Sequence, residues 1–289
     1  KILKMGIAPV IAVVTIIFAM ITLGITVGQS FGWGYMDSLF LGGMLSMSST
    51  TIIYKAFDEL GLRQKRFTSL VMSVLILEDI LAIVMMVMLS GVARTNSVDG
   101  GELVGSVLTI AYFLVVWFVV GIFFVPWILR ASRKLLNAET LLIFSLGLCC
   151  AMAVSVETVG FSQAFGAFVM GSILAETVEA EKIEHLVAPV KNLFGAIFFV
   201  SVGMLVDPAI LVDYAWPIIG LVLTILIGQS VFGTLGYLFS GQSLKTAMRC
   251  GFSMAQIGEF AFIIASLGLS LGVISKFLSP VVVTVSVKT

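Results

Sequence analysis

Apolar stretches of about twenty residues recur along the chain, separated by short polar or charged connections. At ~1.5 Å rise per residue, about 20 helical residues cross a ~30 Å hydrocarbon core, so this pattern predicts membrane-spanning helices. A transmembrane barrel would show ~10-residue segments of alternating polarity instead. Nine full spans are expected over residues 5–27, 35–55, 67–91, 104–129, 139–157, 161–175, 189–206, 215–239 and 245–269, with a tenth from 276 onward. The fold class that follows is an all-α polytopic membrane protein.

The basic residues test this count, because cytoplasmic connections of membrane proteins carry an excess of Lys and Arg. With a cytoplasmic N-terminus, the inner segments hold Lys1, Lys4, Lys55, Arg63, Lys65, Arg66, Arg130, Arg133, Lys134, Lys182, Lys191, Lys245 and Arg249, thirteen of the sixteen basic residues. Only Arg94 and Lys276 fall outside, and Lys288 lies near the last inner end. A missed or invented helix would scramble that alternation. Residues 93–102 and 177–182 are the only polar stretches of any size. The second, flanked by Glu176, Glu184 and His185, reads as a solvated amphipathic connector. A start at Lys1 and a stop at Thr289, inside an apolar run, are what a piece of a longer polypeptide would show.

Composition narrows the chemistry. Sixty per cent of residues are hydrophobic and eleven per cent charged, with a mean hydropathy of +1.16, whereas a soluble domain is about a quarter charged. Zero net charge and the lack of a basic block give nucleic acid nothing to bind. Cys149, Cys150 and Cys250 lack metal-ligand spacing, and His185 is the only histidine, so neither a zinc site nor a His-based triad is expected. No cofactor is expected. Ala167, Gly171 and Ala175, and likewise Gly220, Thr224 and Gly228, put small residues at every fourth position, a pattern that lets helices pack closely.

Three motifs could carry function. Glu78 and Asp79 sit at the centre of the 67–91 span, roughly 18 Å from either end. Midplane acids are costly and mark ion or proton paths. Adjacent helical residues point ~100° apart, so one can face a water-filled cavity while the other faces a neighbouring helix. Burial raises a carboxylate pKa and a bound cation lowers it. A midplane carboxylate therefore holds a proton or a metal ion, and poorly both. A structural ion pair is the competing reading, but no Lys or Arg lies near the centre of any span. The second motif is Ser46-Met47-Ser48-Ser49-Thr50-Thr51, leading to Lys55, where five of six residues are hydroxylic. Such side chains compete with helical hydrogen bonding, and broken helices in transporters offer freed carbonyls and hydroxyls as hard ligands. In the third, Met254 to Phe260, Gly258 weakens the helix directly before Glu259. A carboxylate there would balance the positive N-terminus of a following half-helix. Spans one to three and eight to ten both read as helix, interrupted helix, helix, entering from opposite sides, as an inverted-topology repeat requires.

These residues resemble the monovalent cation:proton antiporter-2 family of the sodium/hydrogen exchanger superfamily, close to the Kef-type potassium-efflux antiporters. The likeness lies in five runs in order: Met47 to Thr51; Leu77-Glu78-Asp79-Ile80-Leu81-Ala82-Ile83; Glu157 to Ser162 with Gly166, Ala167, Phe168 and Gly171; Pro189 to Met204; and Gln256 to Phe260. The resemblance implies an inverted-repeat antiporter fold with two discontinuous crossing helices and three N-terminal helices missing here. It implies a core ion-transport domain (1–92 and 208–289) moving elevator-fashion against a dimerisation scaffold (135–207), with 93–134 as a linker helix. A homodimer in the lipid bilayer, placed in a bacterial inner or plasma membrane, and a C-terminal regulatory domain beyond this chain are further implications. Relatives fill the Glu78 position with Gln, Asn or Asp, and many place at Gln229 a Lys that pairs with the ion-site carboxylates. Two acids without that counter-charge bear on charge stoichiometry and ion preference. Glu78 is then expected to be protonated at rest or to share the ion with Asp79.

The function that follows is exchange of K+ or Na+ for H+ by alternating access. Asp79 is the carrier, Glu78 and Ser48, Ser49, Thr50 and Thr51 assist coordination, and Glu259, Gln229, Gln256, Lys55 and Glu157 support charge balance. Two other classes fit less well. A sodium-coupled symporter of an organic anion would keep broken helices but gives no reason for two midplane acids, and substrate-stimulated sodium uptake would reveal it. An intramembrane aspartyl protease would need Glu259 as its second acid, and peptide cleavage in detergent would reveal that.

Overall fold

The computed structural model describes residues 7–95, 105, 112, 116, 117, 119, 121, 123–129, 137–158, 163–204 and 212–289. Every regular element among them is an α-helix. The expected span over 104–129 and the loop at 93–102 lie largely outside the described residues, as do 159–162 in the third family run and 205–206 at the end of the seventh span. Residues 123–129 are helical.

The chain divides into two compact units, Lys1–Met85 with Val202–Thr289, and Met86–Ser201. The first unit holds α1 (Ala8–Ser30), α2 (Tyr35–Leu45), α3 (Thr50–Glu59) and most of α4 (Arg66–Thr95). From the C-terminal stretch it adds α8 (Ala215–Phe239), α9 (Leu244–Ser253), α10 (Glu259–Ser270) and α11 (Leu278–Lys288). The second unit holds α5 (Ala138–Thr158), α6 (Gln163–Ala175) and most of α7 (Ala180–Gly203). Four helices are long and apolar enough to cross a membrane among the described residues: Ala8–Ser30, Arg66–Ala93, Ala138–Thr158 and Ala215–Phe239.

Helix α1 shows how the first unit packs. Ala12, Ile16, Met20, Gly24 and Gly28 recur every fourth position and are buried, while Val10, Val14 and Phe18 on another flank are exposed. In lipid there is little hydrophobic drive to join helices, so close van der Waals approach does the work. Gly24 supplies that approach to α2, since a Cβ there would overlap the Gly42 backbone. The small-residue stripe of α8 also packs on α1, with Gly220 against the Phe31 ring and Gly228 against Leu23 and Met20.

The other stripe behaves differently. Ala167, Gly171 and Ala175 are exposed, and Gly171 and Ala175 line an apolar cavity of about 350 Å³ with Ser145, Cys149 and Ile183. Small residues permit close packing but do not supply the partner. A second difference concerns Pro189, expected to open the seventh span. Helix α7 begins at Ala180 with Pro189 inside it, so much of the expected connector is helical. Proline fits a first turn most easily, but membrane helices tolerate it further in because neighbours satisfy the freed backbone.

Candidate functional site

Two breaks, at residues 46–49 and 254–258, divide the second and ninth expected spans into half-helices of 11 and 10, and of 10 and 12, residues. Each half is about 15–18 Å long at ~1.5 Å per residue, or half of a ~30 Å core. Ser46 closes α2 and sends its hydroxyl back to the Gly43 carbonyl at 2.8 Å. Ser49 opens α3 as its N-cap, its Oγ accepting from the Ile52 N–H at 3.3 Å. In the other break Met254 closes α9 and Gly258 opens α10.

The two breaks are joined. The Gly258 N–H donates to the Met47 carbonyl at 2.8 Å. A Cβ at Gly258 would overlap the Ser48 carbonyl, which only glycine avoids.

Four consecutive residues, Ser48 and Ser49 at the end of the first break and Thr50 and Thr51 at the start of α3, hold three carboxyl groups. Glu78 Oε2 accepts from the Ser48 N–H at 3.2 Å. The Thr50 hydroxyl lies 3.2 Å from Asp79 Oδ2 and 3.4 Å from Oδ1. Glu259, the first residue of α10, accepts from the Ser49 and Thr51 hydroxyls at 3.2 Å each. Glu259 therefore lies at the N-terminus of its own half-helix and reaches toward that of α3, where backbone N–H groups carry partial positive charge. The ~100° between neighbours on α4 separates the central pair: Glu78 is 1% exposed, whereas Asp79 is half-buried.

Gln229 on α8 completes the cluster, its Nε2 donating to Ser48 Oγ at 2.7 Å. Glu78 Oε1 and Gln229 Oε1 are buried and have no hydrogen-bond partner among the described residues. Among the described residues the ion pairs are Lys55 with Glu59 and Arg63 with Asp58, so no basic side chain neutralises Glu78, Asp79 or Glu259. Leaving a buried charge unpaired costs several kcal/mol, so a mobile positive species, a proton or a cation, suits this cluster. Among the described residues, no three acids, histidines or cysteines are grouped so as to hold a metal ion.

The remaining expected residues have other partners or surroundings. Lys55 is exposed and pairs with Glu59 at 3.9 Å. Gln256, in the second break, lines a cavity of about 430 Å³ with Leu226, Ser230, Phe252, Ser253, Ala255 and Thr289. Glu157 belongs to the second unit, where its Oε2 accepts from Gln163 Nε2 at 2.8 Å. Two polar residues of the first unit escaped the sequence reading. Asp37 is buried, with its oxygens accepting from the Ser275 N–H at 2.6 Å and the Ser275 hydroxyl at 2.7 Å. The buried Tyr237 hydroxyl donates to Met254 Sδ at 3.4 Å, beside the second break. Asp37 stands in a helix first turn, where an acid needs no distant partner, and a lone tyrosine in an apolar helix carries no signal of its partner.

The family model described as sodium/hydrogen exchanger, transmembrane, matches residues 4–289. The chain belongs to the sodium/hydrogen exchanger family. It is 33% identical over 266 residues to "Putative cation/proton antiporter YbaL" of Escherichia coli (strain K12), covering 88% of this chain and 47% of that protein. Identity to "K(+)/H(+) antiporter subunit KhtU" of Bacillus subtilis (strain 168) is 28% over 280 residues, 97% of this chain and 69% of KhtU. "K(+) efflux antiporter 6" of Arabidopsis thaliana is 30% identical over 256 residues, 87% of this chain and 42% of that one. The chain thus spans about half the length of YbaL. These relatives are named as transporters, not enzymes, and the likeness to Kef-type antiporters read from the five runs holds.

Proposed function

We propose that the chain exchanges a monovalent cation, K+ or Na+, for a proton by alternating access, with Asp79 as the carrier. The observation that carries this reading is the set of three carboxyl groups held on residues 48–51 without a basic partner. Asp79 is the half-buried member of the central pair, Glu78 being closed off, and Glu259, also half-buried, balances the half-helix ends instead. Protonated, it is neutral and needs no cation. Ionised, it attracts one, with the Thr50 hydroxyl and break carbonyls as further oxygen ligands suited to a hard cation. Each state excludes the other, so a proton released on one side is exchanged for a cation taken up there. Glu78, fully buried and bonded to the Ser48 N–H, adjusts the charge of the cluster without exchanging freely with solvent.

In this reading α1–α4 and α8–α11 are inverted repeats and the broken pairs α2/α3 and α9/α10 cross at the ion site. The unit that contains them is the moving core, and α5–α7 belong to a dimerisation scaffold. The N-terminus faces the cytoplasm of a bacterial inner or plasma membrane. The test is cation-dependent dissipation of an imposed pH gradient in proteoliposomes, run with potassium, sodium and lithium. Dissipation by at least one of them is expected, with apparent affinity falling as pH is lowered and protons occupy the carrier. A gradient unaffected by all three would refute antiport.

A further inference from the structure

A second polar feature of the first unit lies away from the carboxyl cluster. Between the end of α3, the start of α4 and α9 is a cavity of about 530 Å³ lined by Phe57, Leu60, Leu62, Lys65, Phe67, Arg249 and Ser253. Its walls are apolar and aromatic, and its two charges are both positive. The Arg249 guanidinium lies 5.9 Å from the centre of the Phe67 ring. Neither Lys65 nor Arg249 pairs with a carboxylate among the described residues, whereas the nearby Arg63 pairs with Asp58 at 3.0 Å and stacks on Tyr54.

Arg249 is five residues into α9, roughly 8 Å along the helix from Leu244. Leu244, Met248 and Phe252, spaced every fourth residue on the same helix, are exposed, as is Leu60 at the cavity rim. Arg249 thus sits beside a row of exposed apolar side chains, the setting of a charge at the edge of hydrocarbon. A cation there needs an anion or a route to water, and this cavity offers two cations to one occupant.

We propose that this cavity binds an anionic glycerophospholipid, with the phosphate between Lys65 and Arg249 and an acyl chain against Phe57, Leu60 and Phe67. Charge complementarity selects the anion. The apolar walls and the exposed row on α9 select a lipid over a soluble phosphate. Because α3 and α9 are halves of the two broken helices, the bound lipid bridges them beside the start of α4.

The test is native mass spectrometry of the purified chain equilibrated with equal amounts of phosphatidylglycerol and phosphatidylcholine. It needs no transport activity, so its failure and the failure of the antiport reading are distinguishable. The wild type is expected to retain phosphatidylglycerol preferentially. K65Q/R249Q should lose that preference by about 30-fold, at ~1 kcal/mol for each basic residue near an anionic lipid. K65R/R249K, which keeps both charges, should retain it and shows that substitution alone is tolerated. Equal retention of the two lipids by the wild type, or undiminished preference in K65Q/R249Q, would overturn the proposal. Inorganic phosphate that displaces the lipid at millimolar concentration would assign the site to a soluble anion and overturn it equally.

Discussion

Substituting Gly258 by alanine adds one methyl group at the point where the two breaks meet. Its φ of −90° is one that any residue adopts, so the effect is steric and not a matter of backbone strain. The new Cβ would lie 2.6 Å from the Ser48 carbonyl carbon and 3.0 Å from the Ser49 nitrogen, and would overlap the Ser48 oxygen. These atoms are backbone, so no side chain can swing aside. Restoring an ordinary ~3.5 Å carbon–carbon separation moves the Ser48 peptide by roughly 0.9 Å. The bonds from residues 48–51 to Glu78, Asp79 and Glu259 already measure 3.2–3.4 Å, and such a shift carries them past hydrogen-bond range. Overpacking of this kind costs about 1–3 kcal/mol. Gly258→Ala is therefore expected to lower the melting temperature and to raise the cation concentration needed for half-maximal gradient dissipation. Gly147→Ala is the control: that glycine is exposed on α5 with nothing within 4 Å of its Cβ position, and alanine should be neutral or stabilising by up to about 1 kcal/mol. A Gly258→Ala protein with wild-type melting and cation dependence would show that the junction of the breaks does not hold the site.

Two further substitutions probe the cluster. Glu78→Gln keeps an acceptor for the Ser48 N–H but removes an ionisable group, so transport should persist with altered charge per cation. An unchanged transport current per ion would make Glu78 merely structural. Ser49→Ala removes both the α3 cap and one donor to Glu259, and loss of such a cap costs about 1 kcal/mol; calorimetry showing no loss of stability would mean that the cap is replaced by water or a neighbour.

The interruptions were legible because their causes are local. Five hydroxylic residues between 46 and 51, and Gly258 before Glu259, each weaken a helix where they stand. The midplane placing of Glu78 and Asp79 needed only counting along an apolar run. What the local pattern could not contain is which side chain meets which. That Gly258 donates to Met47, that Gln229 reaches Ser48 rather than an acid, and that Asp37 clasps Ser275 depend on contacts between residues far apart in sequence. Pro189 misled for the converse reason: its local preference for a first turn yields to the packing of a longer helix. Glu157, expected to support charge balance, belongs to the second unit, where Gln163 Nε2 donates to it, a pairing six residues apart that the sequence reading did not include.

The central claim is that one half-buried carboxyl group alternates between a proton and a cation. Asp79→Asn tests it most directly, since the amide keeps an acceptor for Thr50 but takes up neither. Measured as cation-driven collapse of a pH gradient in proteoliposomes, exchange should fall to the level of protein-free vesicles while the purified variant melts as a folded protein. Exchange at the wild-type rate in that variant would remove Asp79 from the mechanism and contradict the account.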